Sequence, residues 1–254
     1  VDRKEMYDFD KCIYVTSGQQ ILHFQQWFKV VELMGYDWYE GLVHVPYGTV
    51  SVNGAKLATR TGNVVLLKDL FAAAIEKVTE IMEEKNPDHP DKEEAARMVA
   101  LGAIRFSMVK TEPKKQIDFR YQEALSFEGD TGPYVQYAHA RAHSILRKAG
   151  EWGAPDLSQA TPYERALALD LLDFEEAVLE AAEEKTPHVL AQYLLDLAAS
   201  WNAYYNAREN GQPATPVLTA PEGLRELRLS LVQSLQRTLA TGLDLLGIPA
   251  PEVM

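Results

Sequence analysis

The sequence has 254 residues, 46% hydrophobic and 24% charged, which suits one large globular domain or two modest ones. A formal net charge of −12 argues against unspecific coating of nucleic acid but leaves room for an RNA enzyme with a local basic face. No apolar run is long enough to span a bilayer and no secretory signal is read; the one cysteine, Cys12, lies in an apolar run, predicting a buried thiol in a reducing, cytoplasmic setting.

In chain order, Lys11–Val15 reads as a short buried strand broken by Thr16-Ser17-Gly18. A helix follows with Ile21, Leu22, Phe24, Phe28, Val31 and Met34 on or near one stripe, and Gly35 ends it. Leu42–Val45 is a second strand, stopped at Pro46. Strand, helix and strand at this spacing predict a βαβ unit and a parallel sheet, with ligands beyond the carboxyl ends of its strands. That makes Ser17–His23 and His44–Val50 the candidate segments. Gln20 is an amide able to orient a polar ligand or a helix-start residue facing water. His44 is a ligand contact or a satisfied core histidine; at both positions the residues alone favour the second reading. Gly54–Gly62, GAKLATRTG, is a glycine-bounded loop presenting Lys56 and Arg60, cations suited to phosphate charge, although a basic surface loop is the commoner explanation and the P-loop spacing is absent. Helical patterns then run from Val64 through Leu67, Leu70, Phe71, Ala74, Ile75, Val78 and Met82, and from Glu93 to Lys110.

Phe127–Lys148, FEGDTGPYVQYAHARAHSILRK, reads as a domain junction. Gly129–Pro133 predicts a bend, and the helix after it carries Tyr137, Arg141 and Lys148 near one face. Only helices follow. The spacing predicts four: Val135–Lys148, Pro162 to about Glu184 capped by Thr161, His188–Arg208, and a last one whose leucines at 224, 227, 231, 235, 239, 243 and 246 form a stripe. This second part is an all-α bundle. Of the neighbours Tyr204 and Tyr205, at least one should lie near the surface, where it could stack an unpaired base. His139 and His143 have the i, i+4 spacing of metal ligands but no third partner, and no structural metal is predicted.

YVTSGQQILHFQQWF, HVPYG, KLATRTGNVVLL, LSFEGDTGPYVQYAHARAHSILRKAG and GLDLLGIPAPEVM, in this order, resemble the C-terminal part of arginyl-tRNA synthetases, a class I aminoacyl-tRNA synthetase family. The resemblance spans essentially the whole chain. It implies an α/β, partial Rossmann-type catalytic domain (half of a parallel sheet, residues 1–126) followed by an all-helical, DALR-type anticodon-binding domain (127–254). By the same resemblance Gln20 contacts arginine; His44 and the backbone from Gly48 to Val50 face adenosine. Lys56 to Arg60 correspond to the KMSKS loop acting on the phosphates of ATP, with Mg2+, while arginine's carboxylate attacks the α-phosphorus. Tyr137, Arg141, Arg147, Tyr205 and Met254 correspond to contacts with arginine tRNA near its anticodon.

There are departures. Leu57 and Ala58 replace the methionine and serine of KMSKS, and Thr61 stands where relatives often carry lysine. The HIGH motif, the tyrosine and aspartate that hold the guanidinium, and the N-terminal tRNA-elbow domain are not found in the sequence. The resemblance therefore implies a truncated enzyme, a monomer without a membrane partner, that does not activate arginine alone. A stand-alone tRNA-binding module is the alternative, and a half-sheet that self-associates through its edge is a third reading.

Overall fold

The computed structural model describes residues 1–56 and 66–254, excluding the side chains of Ala55, Lys56 and Lys85. A short helix, α1 (Asp2–Tyr7), leads into β1 (Cys12–Ser17), α2 (Ile21–Leu33) and β2 (Leu42–Tyr47). β1 and β2 pair in parallel, Cys12 opposite Leu42 and Ser17 opposite Tyr47, so the expected βαβ unit forms. α2 ends where Gly35 takes φ of 83°, a left-handed value that glycine adopts without steric cost. Its buried stripe is narrower than expected. Phe24 and Val31 are buried, while Ile21, Leu22 and Met34 are exposed, Leu22 by 64%. Burial follows the side laid on Tyr14, whose ring lies 5.2 Å from those of Phe24 and Trp27. Cys12, expected to be buried, is only half-buried because it opens its strand.

β3 (Val50–Val52) turns through Asn53 and Gly54 into β4 (Ala55–Lys56), and β5 (Ile117–Phe119) runs parallel to β3. Between them α3 (Leu67–Lys85) packs on α4 (Lys92–Val109). Leu70, Ala74, Val78 and Met82 close against Ala96, Val99, Ala103 and Ile104, with Val52 and Phe119 below. Leu67, in the first turn, is exposed, and the expected helix start at Val64 lies outside the described residues.

After α5 (Tyr121–Ala124) the bundle begins with α6 (Gly132–Ala149). This helix starts three residues before the expected Val135. Thr131 caps it, accepting the Tyr134 N–H at 3.2 Å, and Gly132 and Pro133 form its first turn rather than a bend. Proline fits there because a first-turn N–H has no intrahelical partner. α7 (Pro162–Leu172), α8 (Phe174–Glu184), α9 (His188–Asn206) and α10 (Leu224–Leu245) complete five helices where four were expected. The helix expected from Pro162 to Glu184 breaks at Asp173. The Tyr193 hydroxyl donates to the Asp170 carbonyl at 2.9 Å, the group that residue 174 would otherwise use. α9 stops at Asn206, short of Arg208, because the chain enters the hairpin β6 (Arg208–Glu209) and β7 (Gln212–Pro213). Asn210 and Gly211, at φ 49° and 78°, supply its tight turn.

The bundle core centres on Trp201, Leu194 and, from α10, Leu229, Leu235, Leu239 and Leu243; Leu227 of the expected stripe is buried outside that cluster. Leu224, Leu231 and Leu246 of the expected stripe are half-buried. α4 crosses α6 closely through two glycines: a Cβ at Gly132 would sit 2.6 Å from the Gly102 carbonyl oxygen.

Candidate functional site

Helical periodicity places Tyr137 one turn from Arg141, with Arg147 and Lys148 in the last turn of α6. α9 brings Asn202 and Tyr205 to the same place, and the C-terminal tail brings Met254. Together Tyr137, Arg141, Arg147, Tyr205 and Met254 line one cavity of about 270 Å³. The Arg141 guanidinium lies 4.6 Å from the Tyr137 ring centre and 4.8 Å from that of Tyr205. It donates to the Tyr137 hydroxyl (2.8 Å) and to Asn202 Oδ1 (3.2 Å). Arg141 is thus a fixed plank between two rings, whereas Arg147 and Lys148 are exposed and make no ion pair among the described residues. Flat aromatic faces beside free cations suit an unpaired base and its phosphate.

The two tyrosines divide as expected: Tyr204 is 4% exposed and Tyr205 42%. A buried network, not read from the sequence, fixes that choice. Glu164 accepts from the Tyr204 hydroxyl (3.0 Å) and from Arg228 Nε (2.8 Å). Arg228 also donates to the carbonyls of Pro216 (2.8 Å) and Ala214 (3.3 Å), and the Thr215 hydroxyl donates to the Tyr204 carbonyl. Burial alone would raise the Glu164 carboxyl. The bonds from Thr161, the charge of Arg228 and the Tyr204 hydroxyl outweigh it, so the carboxyl stays below its ordinary range. Burial pushes the Tyr204 phenol up, keeping it a neutral donor.

The tail forms the remaining wall. Arg105 donates to the Gly247 carbonyl and Gln136 to that of Pro249 (2.7 Å). His139, 2% exposed, bonds the Pro251 carbonyl through Nδ1 at 2.9 Å and faces Gln236 Nε2 through Nε2 at 2.7 Å. A carbonyl only accepts, so Nδ1 carries the proton and Nε2 accepts from the Gln236 amide. Burial lowers the His139 pKa and His143 adds to this, against the Pro251 carbonyl and Glu252, so the neutral tautomer is favoured. His143 lies 3.6 Å from Glu252. The two imidazoles therefore grip the tail. Met254 reaches the α3–α4 core as well as the cavity, its carbonyl 3.4 Å from Asn86 Nδ2.

Gln20 and Gly48 stand at the other candidate place, the carboxyl ends of β1 and β2. Gln20 is exposed at the start of α2. His44 is half-buried, stacked on Phe24 at 4.3 Å and bonded through Nε2 to the Thr16 hydroxyl at 2.9 Å. The Gly48 N–H donates to the Pro113 carbonyl at 2.7 Å, and Val50 pairs with Ile117. Lys56 is placed by its backbone in β4, whereas Arg60, with Leu57, Ala58 and Thr61, lies outside the described residues. Asp118, read only as a lead-in to the junction, clamps this hairpin. Its carboxylate accepts from the Gly54 N–H (2.8 Å), Ser51 Oγ (2.7 Å) and Arg120 Nε (2.9 Å), which hold its pKa at about 2. The i, i+2 pairing of Asp118 with Arg120 was the available signal. Among the described residues no cluster of three or more His, Cys, Asp or Glu could hold a metal, and no helix is long and apolar enough to cross a membrane.

Comparison with known proteins separates the same two regions. Residues 1–121 match the catalytic domain of class I (R) tRNA synthetases, and residues 135–254 match the DALR anticodon binding domain. A curated arginine–tRNA ligase from Thermus thermophilus is 86% identical over 211 residues, 83% of this chain and 36% of that protein. One from Clostridioides difficile is 42% identical, over 99% of this chain and 44% of its own length. The chain thus spans well under half the length of the curated relatives it matches. A solved Thermus thermophilus arginyl-tRNA synthetase superposes with a TM-score of 0.93 at 76% identity, covering 96% of this chain and 41% of that one. An enzyme from Plasmodium falciparum, at 23% identity and a TM-score of 0.80, shares the fold.

Proposed function

Given that the chain belongs to the class I arginyl-tRNA synthetase family, we propose that it serves ATP-dependent ligation of arginine to its tRNA, its helical bundle binding the anticodon arm. The observation that carries this reading is the convergence of Tyr137, Arg141, Arg147, Tyr205 and Met254, from three separate segments, on one cavity. Tyr205 offers a stacking face, Arg141 fixes it against Tyr137, and Arg147 meets a phosphate. We place the division between the two functional parts near residue 127.

In the whole reaction the arginine carboxylate attacks the α-phosphorus of ATP, and the bond to the β-phosphate oxygen breaks to release pyrophosphate. The tRNA 3′-terminal hydroxyl then attacks the arginyl carbonyl and AMP leaves. Mg2+ enters with ATP as part of the substrate. Gln20 is assigned to arginine, His44 and the backbone of Gly48 and Val50 to adenosine, and Lys56 and Arg60 to the phosphates, where cations offset the charge gathering on the leaving group.

Binding of an arginine-tRNA anticodon stem-loop, followed by fluorescence anisotropy, tests the bundle. Tyr205→Ala should weaken it by about 1–3 kcal/mol, the worth of one stacked base. Unchanged affinity in both Tyr205→Ala and Arg147→Ala would overturn the assignment. The 254 residues hold one side of the ATP site and no HIGH tetrad, so we expect no arginine-dependent ATP–pyrophosphate exchange from them alone. Exchange at rates typical of synthetases would refute this.

A further inference from the structure

α7 and α8 pack on the bundle by one face and leave the opposite one exposed. Glu164, Leu167, Leu171, Phe174, Val178 and Ala181 recur at steps of three and four and face inward, Leu167 at 2% exposure. The steps run unbroken through Asp173, whose backbone stays right-handed helical at φ −73° and ψ −4°, so the two helices keep one phase. The outer face therefore also continues from one helix to the next. It carries Leu169, Leu172 and Leu179, exposed by 63%, 74% and 54%, and Glu176 and Glu183 complete the same spacing of three and four. A leucine ridge at this repeat is what one helix offers to another. A cavity of about 300 Å³ adjoins the ridge, walled by Pro162, Ala166 and Leu167 of α7 and by Ser200 and Ala203 of α9. Ala166 stands three residues before Leu169 and is its neighbour on the helix surface.

We propose that the outer face of α7 and α8 is a docking surface for a basic amphipathic helix of another protein, with one large apolar side chain of that helix entering the cavity. The charge selects the partner. Apart from the buried Glu164, residues 162–184 hold seven carboxylates against one arginine, a net −6 of the chain's −12. None of those seven makes an ion pair among the described residues. A second copy of the chain would set carboxylates against carboxylates, and a nucleic acid or an anionic membrane would meet the same repulsion. A helix with two lysines or arginines about 10 Å apart along its axis matches Glu176 and Glu183, while its apolar ridge covers the three leucines. None of these residues lines the cavity of Tyr137 and Arg147.

The test uses the chain as it stands and a labelled peptide of three heptads, leucine at a and d and lysine at e and g, whose like charges keep it from pairing with itself. Fluorescence anisotropy should show saturable binding that weakens with salt. Leu169→Ser, Leu172→Ser and Leu179→Ser together should weaken it by about ten-fold or more, because the apolar ridge is lost. Glu176→Gln with Glu183→Gln should weaken it and flatten the salt dependence. Ala166→Phe, which fills the cavity, should weaken it too. Equal binding of a shuffled peptide of the same composition, or wild-type affinity in the triple serine variant, would overturn the proposal and leave only attraction between opposite charges. A dimer of the chain in sedimentation, abolished by the three serines, would give the face to a second copy and overturn it as well. Matching thermal melts establish that each variant is folded.

Discussion

At the residue scale, the most consequential contact is the ion pair of Glu164 and Arg228, 1% and 3% exposed. Removing one member of such a pair strands the other charge in a dry interior, which costs about 3–5 kcal/mol. Arg228→Ala should therefore lower the urea midpoint strongly. A loss below 1 kcal/mol would mean that water reaches Glu164. The carboxyl is held below its ordinary value when folded, so its contribution is complete above the usual carboxylate range. It is lost as pH falls through that range towards the folded value. Glu164→Gln should accordingly flatten the acid limb of a stability-versus-pH curve. Neither residue stood out in the sequence: they are 64 positions apart, and each looks like an ordinary charge on a helix face. That at least one of Tyr204 and Tyr205 would lie near the surface was legible because consecutive helical residues point apart, whereas which of the two would be buried depended on this hidden pair.

Among elements, the crossing of α4 over α6 depends on the absence of side chains at Gly102 and Gly132. A Cβ at Gly132 meets backbone, the Gly102 carbonyl, which cannot rotate away as a side-chain tip could. Gly132→Ala should cost about 1–3 kcal/mol as the helices move apart. By differential scanning calorimetry, its Tm should fall by about 2–4 °C per kcal/mol for a chain of this size; an unchanged Tm would show that the crossing relaxes freely. The sequence showed the βαβ unit and the α-helical character of the second half because both rest on local periodicity. It did not show the break at Asp173, which comes from a tyrosine on another helix. The hairpin at Asn210-Gly211 was not read, although Asn-Gly is the dipeptide such turns prefer; the helical pattern of α9 was carried as far as Arg208, the hairpin's first residue.

For the whole molecule, the described residues form two large cores and a smaller outlying one. Phe24, Val31 and Leu42 of the β1–α2–β2 unit belong to neither large cluster, and Val15, Leu22 and Leu33 on that unit are exposed. A unit with so little buried area should open below the global transition. Two of the four tryptophans, Trp27 and Trp38, lie in or beside it, while Trp152 and Trp201 report on the bundle. Urea unfolding followed by fluorescence should show two steps. Replacing Trp27 and Trp38 by Phe should erase the earlier step and keep the later. Coincident transitions by fluorescence and far-UV circular dichroism would show instead that the unit is coupled to the rest.

The grip on the C-terminal tail has a spectroscopic consequence. His139 has one ring nitrogen facing a carbonyl and the other facing an amide donor, so its proton is confined to Nδ1 while the tail stays seated. If the tail leaves, the carbonyl that holds the proton on Nδ1 leaves with it, and the imidazole becomes free to exchange tautomers. The 15N shifts of this one ring thus form a built-in gauge of whether the tail that carries Met254 is in place, readable in solution without any label on the cavity itself.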